Sequence, residues 1–251
     1  MAETIGVILA AGRGSRMKGL TEAKPKCLLE LGGRALLEWQ LDSMKQAGVD
    51  RMLVVTGYRG DLLRGDFETV ANPRWESTNM VQSLLYTYAA ADARDMIVSY
   101  ADIVYRPSHV AALLASNADM AVTYDTEWRS LWELRNEDPL TDAETFREED
   151  GKVTDIGGKP RSLDEVRGQY MGLLRFSPAG RRTVADCVSG LAPEAADKLD
   201  MTSLLRALLA QGREIGAVPV AGGWCECDTE GDIAAYERRL AEGEWDHDWR
   251  R

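Results

Sequence analysis

The sequence predicts a three-layer α/β fold with a mostly parallel sheet, and three observations carry that expectation. Short, continuously apolar runs such as Ile5 to Ala10 and Met52 to Thr56 have the pattern of strands buried on both faces. They alternate with segments whose apolar residues recur at helical spacing, as in Leu36, Leu37, Leu41 and Met44. Alternation at this pace implies right-handed strand–helix–strand crossovers, which lay successive strands parallel in a Rossmann-like sheet.

The first strand is Ile5 to Ala10. A helix over Ala35 to Ala47 follows and closes at Gly48, and Met52 to Thr56 is the second strand, stopped by Gly57. Met80 to Ala91 reads as one helix and Met96 to Tyr100 as a strand. Pro107 opens a helix to Ala115, with a strand over Asp119 to Tyr124 beyond it. The alternation loosens after Asp125. Glu144 to Ile156 has two strand-like arms around Asp150-Gly151, which predicts a β-hairpin. Tyr170 to Phe176 is a strand, Met201 to Ala210 a helix, and Ile215 to Val220 and Trp224 to Cys227 the last strands. A final helix spans Thr229 to Leu240 with Thr229 as its N-cap. No linker divides the chain, so a single domain over 1–251 is expected, with an acceptor-side insertion at about 126–170 and a loose or surface-packed tail at 243–251.

The chain has 251 residues and a formal charge of −11, which disfavours nucleic acid as a partner. The longest apolar run near the N-terminus, Val7 to Ala11, is too short for a signal-peptide core or a membrane span, so a cytoplasmic protein without membrane association is expected. A homodimer is compatible with the sequence and not required by it. Cys225 and Cys227 are separated by one residue rather than the two of a zinc pair, and read as strand residues. Glu30 and Glu38 read as surface charges.

Against the acidic background, Arg13, Arg16, Lys18, Lys24 and Lys26 crowd one stretch opposed only by Glu22. The segment Leu9-Ala-Ala-Gly-Arg-Gly-Ser-Arg-Met17 leaves the first strand at its C-terminal end, where open α/β sheets bind ligands. Gly12 and Gly14 let the backbone approach a phosphate and aim N–H groups at its oxygens. Two familiar glycine motifs do not fit. Met17 stands where the third glycine of a dinucleotide loop would be, and no Gly-Lys-Ser/Thr follows.

That segment, with Thr21, Lys24-Pro25-Lys26-Cys-Leu-Leu and Gly32-Gly-Arg-Ala-Leu-Leu, resembles the signature of the sugar-nucleotide-type nucleotidyltransferases over about residues 4–240. The resemblance implies their nucleotide-diphospho-sugar transferase fold and a nucleoside triphosphate wrapped by Leu9, Ala10, Ala11, Gly12, Arg13, Gly14 and Ser15. It also implies catalytic roles for Arg16, on the β and γ phosphates, and for Lys26, on the reacting phosphates. Fixed cations suit this chemistry, because two phosphate-bearing anions must be brought together. Asp102, after the Met96 to Tyr100 strand, and Asp228, before the last helix, match the family's Mg2+ ligands. Glu226 falls on the same face as Asp228 in an extended segment, and is expected on the acceptor side or tuning the metal site, with a surface role an equal reading.

Within the superfamily the chain is most similar to the short phosphocholine and phosphonate cytidylyltransferases. Trp75 to Leu84, Glu127-Trp128 and Glu226-Cys-Asp228-Thr carry that likeness. It implies CMP transfer from CTP to a small phosphate or phosphonate, with Asn79 and Ser83 reading base or ribose. For Asn79, helix capping is an equal reading. Trp128, for which core or surface packing is an equal reading, Arg129 and Lys159 are expected on the acceptor, with Arg135 a further candidate, and the cations favour an acidic acceptor over phosphocholine. A sugar-1-phosphate nucleotidyltransferase using UTP, dTTP or GTP is the alternative. A silent nucleotide-sensing subunit would be expected to lose Arg16, Lys26, Asp102 and Asp228, all of which are present.

Overall fold

The computed structural model describes residues 4–251, without the Lys18 side chain. Buried aliphatic runs form β1 (Thr4–Ala10), and two short strands, β2 (Glu30–Leu31) and β3 (Arg34–Ala35), pair as a ribbon before α1 (Leu36–Gln46). β4 (Arg51–Thr56) and β5 (Glu68–Ala71) follow, then α2 (Met80–Tyr86), α3 (Tyr88–Ala91), β6 (Asp95–Tyr100) and β7 (Ile103–Tyr105). The chain continues through α4 (Pro107–Leu114), β8 (Met120–Asp125), α5 (Trp128–Arg135), β9 (Phe146–Glu149), β10 (Lys152–Ile156) and β11 (Gln169–Phe176). It closes with α6 (Pro178–Ser189), α7 (Pro193–Lys198), α8 (Met201–Ala210), β12 (Gly216–Val220), β13 (Trp224–Glu226) and α9 (Glu230–Glu242).

Nine strands make one sheet in the order β5-β4-β1-β6-β11-β8-β12-β10-β9. β11 and β10 run against the other seven. Alternation along β1 sends Ile8 to one face, with Leu37 of α1, Val110 of α4 and Leu131 of α5, and Val7 and Leu9 to the other, with Leu84, Val184 and Leu204. These are the three expected layers. Parallel pairing aligns Ala10 with Thr56 and Leu9 with Tyr100, so β1, β4 and β6 end together and their following loops share one rim.

The predicted hairpin forms at Asp150-Gly151, where both residues have positive φ (52° and 73°), the backbone a tight two-residue turn requires. It lies at the sheet edge through β10 and β12. The single helix expected over Met80 to Ala91 is broken at Thr87, whose hydroxyl donates to Leu84 O at 2.6 Å. α5, α6 and α7 were not anticipated, although α5 carries Trp128, Leu131, Trp132 and Arg135 at helical spacing. Thr229 caps α9 in a box with Asp232.

The tail corrects the expectation of a loose or surface segment. His247 and Asp248 are fully buried, Trp249 meets the Trp39 ring edge-on at 5.9 Å, and Arg106 donates to the Asp248 carbonyl at 2.9 Å. Two tryptophans and a cation binding tail carbonyls outweigh the tail's polar composition. Among the described residues no helix is long and apolar enough to cross a membrane.

Two measurements probe this packing. Trp249 is 2% exposed, so Trp249→Ala is expected to lower the unfolding free energy by about 3–5 kcal/mol in denaturant titration. A loss below about 1 kcal/mol would mean the tail does not contribute to the core. His109 is the second. Burial, then Arg106 and His247, push its pKa down to about 4. The unfolded imidazole titrates near 6.5, so its contribution is complete above that value and is lost as pH falls toward 4. At pH 5 the loss is about 2 kcal/mol, and His109→Phe should remove that part of the acid slope.

Candidate active site

Beyond β1 the chain turns through Gly12 and Gly14 into a short 3-10 helix, Ser15–Thr21. Gly14 has φ 71°, and a Cβ there would lie 2.9 Å from Cβ of Lys26. Its carbonyl accepts from the buried Thr21 hydroxyl at 3.1 Å. Ala11 O accepts from Tyr58 N at 2.9 Å, which ties the loop to the end of β4. Gly12 faces open space, and Met17, at the place of the absent third glycine, is fully buried as an anchor.

Lys26 is the electrostatic centre. It is 9% exposed, and its ammonium donates to Asp102 Oδ2 and Asp228 Oδ1, each at 2.7 Å. Arg16 reaches Asp228 Oδ2 at 2.5 Å from the other side. Burial alone would lower the Lys26 pKa, but the two carboxylates reverse that and hold it above the usual lysine range. For Asp228 burial pushes upward, while Lys26, then Arg16 and Arg135, keep the carboxyl below its ordinary value. Asp102 arrives from the turn after β6 and Asp228 from the end of β13, and Cys227 N donates to Asp102 O at 2.8 Å to fasten the two segments.

Glu226 completes the cluster. It contributes one of three carboxylates, with Asp102 and Asp228, whose oxygens lie within 4.8 Å of one another. Burial first, then Asp228 and Asp102 against the opposing Arg135, raise its pKa to about 7. Arg135 holds Glu226 Oε2 at 3.1 Å and Asp232 Oδ1 at 3.3 Å, while Asp232 Oδ2 accepts from Asp228 N at 2.9 Å. Asp102 Oδ1 is buried and meets no hydrogen-bond donor. An unsatisfied oxygen beside two further carboxylates fits a hard divalent cation such as Mg2+, which takes oxygen ligands.

Two cavities flank this cluster, sharing Arg16 and Tyr100. Lys26 and Asp102 line the first and Glu226 and Asp228 the second. Leu9, Ala10, Ala11, Gly12, Gly14, Ser15, Asn79 and Ser83 all line the first. Asn79 also caps α2 by accepting from Met80 N at 2.8 Å, so both readings of it coexist. Ser83 accepts from Asn72 at 3.0 Å. Arg13 does not line the cavity, and its guanidinium sits 5.5 Å over the Tyr58 ring.

The expected acceptor residues are where the structure departs most. Trp128 is buried in the core against Trp132. Arg129 pairs with Glu133 at 2.7 Å on the exposed face of α5, and Lys159 donates to the carbonyls of Leu140 and Thr141 at 2.8 and 2.9 Å. None of the three lines either cavity. Arg135 is present but committed to carboxylates. Sequence reasoning missed Tyr100, Trp132, Asp142, Glu144 and Gln169 around the second cavity. The helical spacing of α5 could have placed Trp132. For the loop residues no sequence signal was available.

Gly14→Ala is expected to lower the unfolding free energy by about 1–2 kcal/mol, from a left-handed backbone that also meets Lys26. Gly12→Ala, facing open space, should cost well under that. Equal losses in denaturant titration would contradict the packing of Lys26 against the loop.

Comparison with known proteins identifies the family. The model of the MobA-like NTP transferase domain matches residues 6–212. The chain is 33% identical to CTP:phosphoglutamine cytidylyltransferase of Campylobacter jejuni over 90% of this chain and 96% of that protein. It is 32% identical to choline-phosphate cytidylyltransferase of Haemophilus influenzae over 41% of this chain and 48% of that one. The inositol-1-phosphate CTP transferase of T. maritima shares the fold, with a TM-score of 0.71 at 17% identity, covering 97% of this chain and 98% of that structure. UDP-glucose pyrophosphorylase complexed with UDP-glucose shares it too, with a TM-score of 0.73 at 19% identity, covering 96% of this chain and 100% of the other. A glycine turn, the cations Arg16 and Lys26 and a carboxylate cluster thus meet in a chain that belongs to the MobA-like NTP transferase domain family and is a nucleotidyltransferase.

Proposed function

We propose that this enzyme transfers CMP from CTP to a small phosphorylated acceptor of the phosphoglutamine kind, releasing pyrophosphate with Mg2+ as cofactor. One observation carries the reading. Arg16 and Lys26 converge on Asp102 and Asp228 at the seam of two cavities, in a chain similar over 90% of its length to a CTP:phosphoglutamine cytidylyltransferase.

CTP is assigned to the first cavity, with its phosphates on the N–H groups of the Gly12–Ser15 turn and on Arg16. Ser83 and Asn79 offer side-chain polar atoms to base or ribose. The acceptor is assigned to the second cavity, with its phosphate toward Arg16. An acceptor phosphate oxygen attacks the α-phosphorus, the bond to the β-phosphate oxygen breaks, and pyrophosphate departs with the electron pair. Lys26 and Arg16 offset the mutual repulsion of the two anions without reorganising. Asp102, Asp228 and Glu226 would hold Mg2+, which supplies charge neutralisation and a template for in-line displacement. CTP and small phosphorylated acceptors belong to the cytoplasm, which supports that location.

Pyrophosphate release should require CTP and fall strongly with UTP, dTTP or GTP. Greater release with UTP, dTTP or GTP and a sugar 1-phosphate would instead mark a sugar-1-phosphate nucleotidyltransferase and overturn the reading. Asp102→Asn is expected to reduce kcat/KM by at least about 100-fold with an unchanged circular dichroism spectrum. Activity within about threefold of wild type would remove Asp102 from the reaction.

A further inference from the structure

We propose that Asn72, a buried residue outside the first cavity's lining, selects cytosine by fixing the Ser83 hydroxyl as a hydrogen-bond donor to N3 of the base. The inference deepens the CTP reading of that cavity and rests on it.

Asn72 follows β5 and is 1% exposed. Its backbone N–H donates to Thr56 O at 2.8 Å and its carbonyl accepts from Trp75 N at 3.3 Å, so it joins the end of β4 to the segment leading into α2. Its side-chain oxygen accepts from Arg74 N at 2.9 Å, a local turn that asparagine makes readily. With Oδ1 held there, Nδ2 faces the other way and donates to Thr78 Oγ1 and to Ser83 Oγ, each at 3.0 Å.

That orientation dictates the polarity of both hydroxyls. A hydroxyl has one proton to give, and an amide nitrogen cannot accept it. Each hydroxyl therefore receives from Asn72 and must send its own proton elsewhere. The Thr78 proton goes to Arg74 O at 2.9 Å. The Ser83 proton meets no acceptor among the described residues, although Ser83 is 4% exposed, and Ser83 lines the first cavity. A buried donor without a partner is costly, and a ligand acceptor relieves it.

The two pyrimidines differ at the atom such a donor reads. N3 of cytosine carries a lone pair, whereas N3 of uracil carries a hydrogen. A donor that cannot turn round bonds the first and opposes the second with like polarity. The base also has a surface to lie on. Half-buried Trp75 lines the same cavity, seated by its bond to the Asn72 carbonyl and by an edge-on contact with the Tyr58 ring at 5.6 Å. An aromatic face of this kind stacks any base, so the choice among pyrimidines falls to the edge contact. Asn72 is thus a positioning residue that acts through Ser83.

The test is calorimetric binding of CTP, UTP and 3-deaza-CTP, in which a C–H replaces N3, all with Mg2+. The wild-type protein should bind CTP at least about tenfold more tightly than either of the others. Ser83→Ala should bring CTP and 3-deaza-CTP to within about twofold of each other. Asn72→Asp accepts the Ser83 proton instead of opposing it, which turns the Ser83 lone pairs to the base, so the preference for CTP over UTP should vanish or reverse. Asn72→Ala, which frees the hydroxyl to turn, should lower that preference to about threefold or less. A merely structural role for Asn72 would weaken all three nucleotides alike, and circular dichroism identifies any variant that does not fold. Wild-type binding of 3-deaza-CTP equal to that of CTP, a 3-deaza penalty that survives Ser83→Ala, or an unchanged CTP preference in the folded Asn72 variants overturns the inference. Pyrophosphate release from CTP by the wild-type enzyme then still upholds the cytidylyltransferase reading, and its absence with every acceptor overturns both.

Discussion

The double ion pair of Lys26 with Asp102 and Asp228 is the constraint around which the rest of the site is arranged. Three carboxylates within 4.8 Å would repel strongly in a partly dry cleft, and a buried lysine alone would shed its proton. Together each makes the other tenable. The pairing also joins segments 202 residues apart, so the first loop and the last strand become one wall. The absence of a side chain at Gly14 follows from it, because the Lys26 stem occupies that space.

Topology supplies these residues from separate places without long loops. The aligned ends of β1, β4 and β6 bring the glycine turn and Asp102 to one rim. The small β13–β7 ribbon then carries Glu226 opposite Ile103, one residue after Asp102 of the turn from β6. Antiparallel β11 has an irregularity between Tyr170 and Leu174, where Gly172, with φ 79°, lies so close to the Tyr100 ring that a Cβ would reach 2.5 Å. That bulge sets the floor of the second cavity, lined by Tyr100, Tyr170 and Gly172. Arg135 braces the opposite side, since it binds Glu226 directly and Asp228 through Asp232.

Much of this was legible in the sequence where local rules decide the outcome. Apolar runs marked β1, β4, β6 and β8, Asp150-Gly151 marked the hairpin, and the glycine turn with Arg16 and Lys26 marked a stretch that lines the first cavity. Local rules fail where partners are distant. Arg129 and Arg135 look alike in sequence, yet one faces solvent with Glu133 and the other is buried by acids at 226 and 232. Of the two readings of Trp128, acceptor contact and core, the core holds, because α5 turns its apolar stripe inward. The polar composition of 243–251 concealed the tryptophans and buried His247 that pin it. The acidity of the second cavity depends on loops over 142–144 and 169–170 meeting β13, which no periodicity announces.

The central claim is that Asp102 and Asp228 hold a divalent ion between CTP and the acceptor's side of the site. A crystal structure with CTP and Mn2+, the metal located by its anomalous scattering, tests this most directly. The account predicts a peak touching both aspartates and the CTP phosphates, with the base against Ser83 and Asn79. A metal bound away from these aspartates, or CTP seated in the acidic second cavity, would contradict it.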